Sequence, residues 1–172
     1  IIPQGQGRVN DEGLAFYDRL IDALFEAGIE PWATLFHWDY PIALYDRGGW
    51  LNPDSPRWFE EYTEVVADRF SDRIQNWITF NEPQCFIGLG HGTGVHAPGL
   101  QLNNRDLLEI QRNFLLAHGR SVQTLRSCGR PGMRIGIAPV STVPIPATDS
   151  LDDVEAARQL GFEDCAVGPG LW

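Results

Sequence analysis

The chain has 172 residues, 43% of them hydrophobic and 11% aromatic, and carries a formal net charge of -10 from 23 acidic and 13 basic residues. That length can bury a real core, and the composition is that of a globular domain. The acidic balance argues against a nucleic-acid partner or an anionic membrane surface, both of which need a basic face, and no apolar run is long enough to span a bilayer.

The first residues, Ile1 to Arg8, read as the end of a strand running into a loop. A helix follows, with Asn10 or Asp11 as its cap, and with Leu14, Tyr17, Leu20, Ile21, Leu24 and Phe25 at helical spacing. Gly28 is the stop signal. Ile29 to Asp39 holds a strand through Trp32, Thr34 and Phe36 that finishes in His37-Trp38-Asp39. Residues Ala43 to Pro53 are expected to be a loop with a turn at Gly48-Gly49-Trp50. The next helix takes Ser55 as cap and Pro56 as its first position, and is expected to bury Trp58, Phe59, Tyr62, Val65, Val66, Arg69 and Phe70.

The stretch Trp77-Ile78-Thr79-Phe80-Asn81-Glu82-Pro83 is a short apolar strand that ends in a polar pair and a proline. Pro83 cannot extend a sheet ladder, so the strand stops there and Glu82 is expected to be extended. From Gln84 to Asn103 there is no period, and a glycine-rich loop is expected. A helix from Arg105 to Arg126 follows, capped by Asn104, with Leu108, Leu115, Val122 and Leu125 on one side. The strand Arg134 to Val140 comes next. The last helix runs from a capping box at Ser150 and Asp153 to about Leu160, before a glycine-rich end from Phe162 to Trp172.

Helices and strands alternate, so the fold class is α/β with a parallel sheet in one domain. Two strands separated by one helix lie side by side and end at the same rim. His37, Trp38, Asn81 and Glu82 then converge at the carboxyl end of the sheet, where parallel α/β architectures place their sites. The list suits a sugar. Imidazole and amide groups bond hydroxyls, an indole shapes a pyranose face, and a carboxylic acid protonates a leaving oxygen. Asp39 and His118 read as structural, and Cys85 has no activating base beside it. Cys85, Cys128 and Cys165 are too few and scattered for a disulfide framework, and no spacing suggests zinc or another metal.

The chain resembles the β-glucosidases of glycoside hydrolase family 1, retaining enzymes built on a (β/α)8 barrel. The likeness rests on Thr34 to Asp39, Gly48-Gly49-Trp50-Leu51, Trp77 to Pro83, Gly94-Val95-His96-Ala97-Pro98-Gly99 and Leu116-Ala117-His118-Gly119, in this order. It implies part of a TIM barrel, about its third to fifth strands, making residues 1–172 a partial catalytic domain. It implies that Glu82 is the general acid/base and that Asn81 holds the sugar 2-hydroxyl. His37 and Trp38 then bind hydroxyls of the glucosyl unit, and His96 lies toward the aglycone. Gln84 stands where many members carry a tryptophan, which leaves aglycone preference open.

No metal or organic cofactor is implied, and the expected partner is a small-molecule β-glucoside or oligosaccharide. A retaining mechanism needs a second carboxylate about 5–5.5 Å from the first. In this family it lies in a Glu-Asn-Gly context, which does not occur here. The sequence therefore reads as a central piece, with a complementary chain or self-association expected to close the barrel. Two alternatives stay open: a non-catalytic carbohydrate-binding pseudo-enzyme, and a retaining barrel glycosidase for another sugar, such as a galactoside or a fucoside. Without a signal pattern at Ile1, a cytoplasmic location is the expectation.

Overall fold

The computed structural model describes residues 1–128, 131–140 and 143–165, with the backbone alone at 162–165. The described elements, in order, are α1 (Asp11–Glu26), β1 (Trp32–Phe36), a short α2 (Ile42–Tyr45), α3 (Ser55–Phe70) and β2 (Asn76–Asn81). A π-helix (Cys85–Gly92), α4 (Asn104–Cys128), β3 (Arg134–Ala138) and α5 (Leu151–Cys165) follow. The chain forms two compact units. One comprises Ile1–Asn81 with Arg112–Ala138, and the other Glu82–Gln111 with the described residues from Pro139 onward.

The first unit is built on a parallel sheet in the order β1-β2-β3. Phe36 and Phe80 are register partners. Both are buried in an aromatic cluster with Trp50, with Phe59 of α3 and, for Phe80, with Phe114 of α4. The Phe59 and Phe80 ring centroids are 4.6 Å apart, and those of Phe80 and Phe114 4.9 Å. Offset and edge-to-face contacts of this kind add to the large area each ring buries. Because Phe80 is wholly buried, Phe80→Ala should cost roughly 3–5 kcal/mol through lost transfer energy and the cavity left behind. A urea unfolding midpoint that hardly moves would show the cluster to be dispensable.

The ladder between β2 and β3 is irregular between Ile78 and Asn81. Ile78 faces Gly136 and Asn81 faces Ala138, so β2 carries one residue more than its partner. The bulge breaks the alternation of side chains. Thr79 and Phe80 consequently both pack toward α4, Phe80 on Phe114 and Thr79 with its hydroxyl 2.8 Å from His118 Nδ1. His118 is thus a packing histidine with a partner, and burial pulls its pKa below the usual range.

Several sequence expectations are met and others corrected. Asn10 caps α1 by accepting from Gly13 N, and Gly28 adopts φ +71 where the helix ends. Of the apolar stripe on α1, however, Ile21 is buried while Tyr17, Leu20 and Phe25 are exposed, and Arg69 of the stripe expected on α3 is exposed and ion-paired with Asp18. α3 begins at Ser55 itself, not after it. Its cap is Asp54, and the Ser55 hydroxyl is buried with no hydrogen-bond partner. α4 begins one residue earlier than expected, at Asn104. Asn103 accepts from Asp106 N and donates to its carboxylate, so the cap sits at 103 and not at Asn104. The buried face of α4 runs through Ile110, Phe114, Ala117, Ser121 and Leu125, while Leu108 and Leu115 are exposed. In place of the start of the loop expected from Ala43, a single helical turn, Ile42–Tyr45, forms, with Pro41 as its N-cap. β3 stops at Ala138, short of Val140, and α5 continues past Leu160 to Cys165.

In the second unit the first part of the expected glycine loop is a π-helix, Cys85–Gly92. Its i→i+5 period matches neither the helical nor the strand template. The segment after it folds back upon it. His96 N donates to Leu89 O, Leu100 N to Gly90 O and Leu102 N to His91 O. A Cβ at Gly90 would come within 2.6 Å of Ala97 O, so this approach requires glycine. His91 is buried, with Nδ1 2.7 Å from Phe86 O, and burial lowers its pKa. Ser150 accepts from Asp153 N, the cap expected for α5. Cys85 and Cys128 are free thiols. The Cys165 side chain and the end from residue 166 lie outside the described residues.

Candidate active site

In the first unit, β1 and β2 deliver their last residues side by side because their buried phenylalanines are in register. His37 follows Phe36, and Asn81 follows Phe80. The Asn81 carboxamide nitrogen lies 3.3 Å from His37 Nε2, within hydrogen-bond reach. Trp38 donates from its indole N–H to the Asn81 carbonyl over 2.9 Å. Of the four residues expected to share a rim, His37, Trp38 and Asn81 are in contact, and both contacts run through Asn81. His37 is exposed and Trp38 half-buried, so the imidazole is presented to solvent while the indole is anchored. A cleft of about 510 Å³ runs along β1 and takes in His37 together with Tyr40, Ser55, Trp58 and Tyr62.

Trp38 adopts φ +80, a conformation that bulky side chains rarely tolerate. The backbone turns sharply out of β1 at this residue, and the indole hydrogen bond holds it there. Such strain persists where the surrounding structure over-determines it, and clusters at functional sites.

Glu82, the residue after Asn81, opens the second unit. It corrects the sequence expectation. Its φ is +42, left-handed and not extended. Both strand ends that carry the polar cluster thus turn through a non-glycine residue of positive φ. Pro83 and Gln84 then start a helical turn that leads into the π-helix, with Cys85 N donating to Glu82 O over 2.9 Å. Glu82 is half-buried, and the Cys85 thiol donates to its Oε2 at 3.4 Å. Gln84 spends its amide N–H on Val140 O at 2.6 Å. His96 belongs to the same unit as Glu82, half-buried, with its backbone held on the π-helix through Leu89. Among the described residues no group of three His, Cys, Asp or Glu is arranged to hold a metal ion.

The sequence model of glycosyl hydrolase family 1 matches residues 1–164. The chain belongs to glycosyl hydrolase family 1.

Within family 1, the chain is 45% identical over 161 residues to beta-glucosidase A of Thermotoga maritima, covering 92% of this chain and 35% of that protein. It is 42% identical to the 1,4-beta-D-glucan glucohydrolase of Thermotoga neapolitana, with 92% of this chain and 37% of that one covered. Among solved structures it superposes on the Thermotoga maritima beta-glucosidase in complex with deoxynojirimycin with a TM-score of 0.83 at 43% identity, over 92% of this chain and 35% of the other. The chain therefore spans about a third of the length of these family 1 relatives. Its three parallel strands are part of the family's (β/α)8 barrel.

Against that family 1 background, the structure brings together three of the residues singled out from sequence, His37, Trp38 and Asn81, and places Glu82 one peptide bond further on. The contact that sequence reasoning missed is Cys85 against Glu82. The signal for it was present: proline at the start of a helix predicts a helical turn from residue 83, which sets positions 82 and 85 on one side.

Proposed function

We propose that this chain is the acid/base segment of a retaining β-glucosidase. The parent enzyme hydrolyses β-glucosidic bonds, Glu82 protonates the leaving oxygen and later deprotonates the attacking water, and Asn81, His37 and Trp38 hold the glucosyl unit. The observation that carries the reading is the Asn81–Glu82 pair at the end of β2, with Asn81 tied to both His37 and Trp38. Glu82 follows Asn81 directly in the chain, which supports the reading that a carboxylic acid and groups able to bond sugar hydroxyls serve one site. A hydrogen bond to the 2-hydroxyl strengthens as the transition state forms, which suits the amide of Asn81. Likeness to beta-glucosidase A and to the structure in complex with deoxynojirimycin supports a small sugar as ligand. His96 is assigned to the aglycone side, the unit in which it lies with Glu82 and Gln84 being consistent with that. The remaining strands and the second carboxylate come from further polypeptide, supplied in the same chain or by a complementary one.

The test is a graft: residues 1–164 replace the matching segment of the Thermotoga maritima enzyme. The graft should hydrolyse aryl β-glucosides with β-glucose as the first product seen by proton NMR. A graft that folds yet prefers aryl β-galactosides or β-fucosides would redirect the assignment to another sugar. One that folds and cleaves none of them would remove the reading.

A further inference from the structure

We propose that Cys85 is a positioning residue for Glu82, its thiol donating a hydrogen bond that orients the carboxylate over the first helical turn after β2. The proposal rests on the reading of Glu82 as acid/base. It begins with the turn. Cys85 N donates to Glu82 O, which closes one turn of chain and brings the two side chains to the same side. The sulfur then reaches Oε2 at 3.4 Å. Pro83, Phe86 and Ile87, next to Cys85 in the chain, are buried, and Cys85 itself is half-buried. Glu82 hangs from a left-handed backbone, a strained conformation that its surroundings must hold.

A thiol is an apt chemical choice. An arginine or lysine would lock the carboxylate as an ion pair. The S–H group is a weak, neutral donor, and it fixes orientation while leaving the carboxylate able to take and give a proton. The same contact acts back on the sulfur. Burial first, and then the hydrogen bond and charge of Glu82, raise the Cys85 pKa. The thiol is thereby kept protonated and so remains a donor, and is a poor nucleophile.

The test uses the 172-residue chain and needs no turnover. Alkylation of each cysteine by iodoacetamide is followed by peptide mass spectrometry from pH 7 to 10. Thiolate is the reactive form, so at a pH well below the titration midpoint the rate rises about tenfold for each pH unit by which that midpoint falls. Glu82→Gln removes the charge and should raise the Cys85 rate about three- to tenfold at pH 8.5, lowering its midpoint. Glu82→Asp, one methylene shorter, should move it part-way. Cys128, whose thiol donates to Asp68, should keep its profile in all three proteins. A Cys85 profile that is the same whatever stands at position 82, with Cys128 unchanged, overturns the proposal. If the profile moves as expected but the grafted Glu82→Gln enzyme keeps its rate, the pair stands and the acid/base reading is what fails.

Discussion

In the grafted enzyme, Glu82→Gln should lower kcat/KM by roughly 100- to 10,000-fold on glucosides with poor leaving groups, the range expected for removing one positioned general acid. The reason is the basicity of the departing oxygen. A sugar or alkyl alkoxide cannot leave unprotonated, whereas a nitrophenolate needs little help. The same substitution should therefore slow formation of the glycosyl-enzyme far less on an activated aryl glucoside. The amide is near-isosteric, so the turn from Glu82 into the π-helix and the Asn81 contacts should survive. Single-turnover kinetics on the two substrate classes read the difference directly. Equal losses on both would point to a binding or structural role for Glu82. Rates within a factor of three of the parent on both would eliminate it as the proton donor.

The second large effect concerns the chain by itself. The 172 residues should release no aglycone from an aryl β-glucoside above the buffer rate. Retention requires two carboxylates about 5–5.5 Å apart, and the sequence has no Glu-Asn-Gly to supply the nucleophile at its expected position. The sheet is also open, with β1 and β3 each paired on one side among the described residues. Unpaired strand edges favour association. Ultracentrifugation should accordingly find the chain self-associated at micromolar concentration, and mixing it with the remainder of a family barrel should restore turnover. Turnover by the lone chain that vanishes in Glu82→Gln would contradict this and would require a second carboxylate supplied from within it.

The alternation of helices and strands, the parallel sheet, and the meeting of His37, Trp38 and Asn81 are all legible in the order of residues. They follow from periodicity, from proline and glycine punctuation, and from the rule that strands joined through one helix are neighbours. Other features depend on contacts between distant residues and emerge only when the chain is folded. The buried face of α4 takes in Phe114, which packs on Phe80, together with Leu125, and leaves Leu108 and Leu115 exposed. The bulge in β2 is a property of its register with β3, which no reading of β2 contains. Glu82 takes the left-handed conformation in spite of the extended bias that Pro83 imposes, and the Cys85 backbone and thiol contacts accompany that turn. A local rule about proline was overruled because a turn closed by its own hydrogen bonds can hold a strained residue that an isolated chain would release.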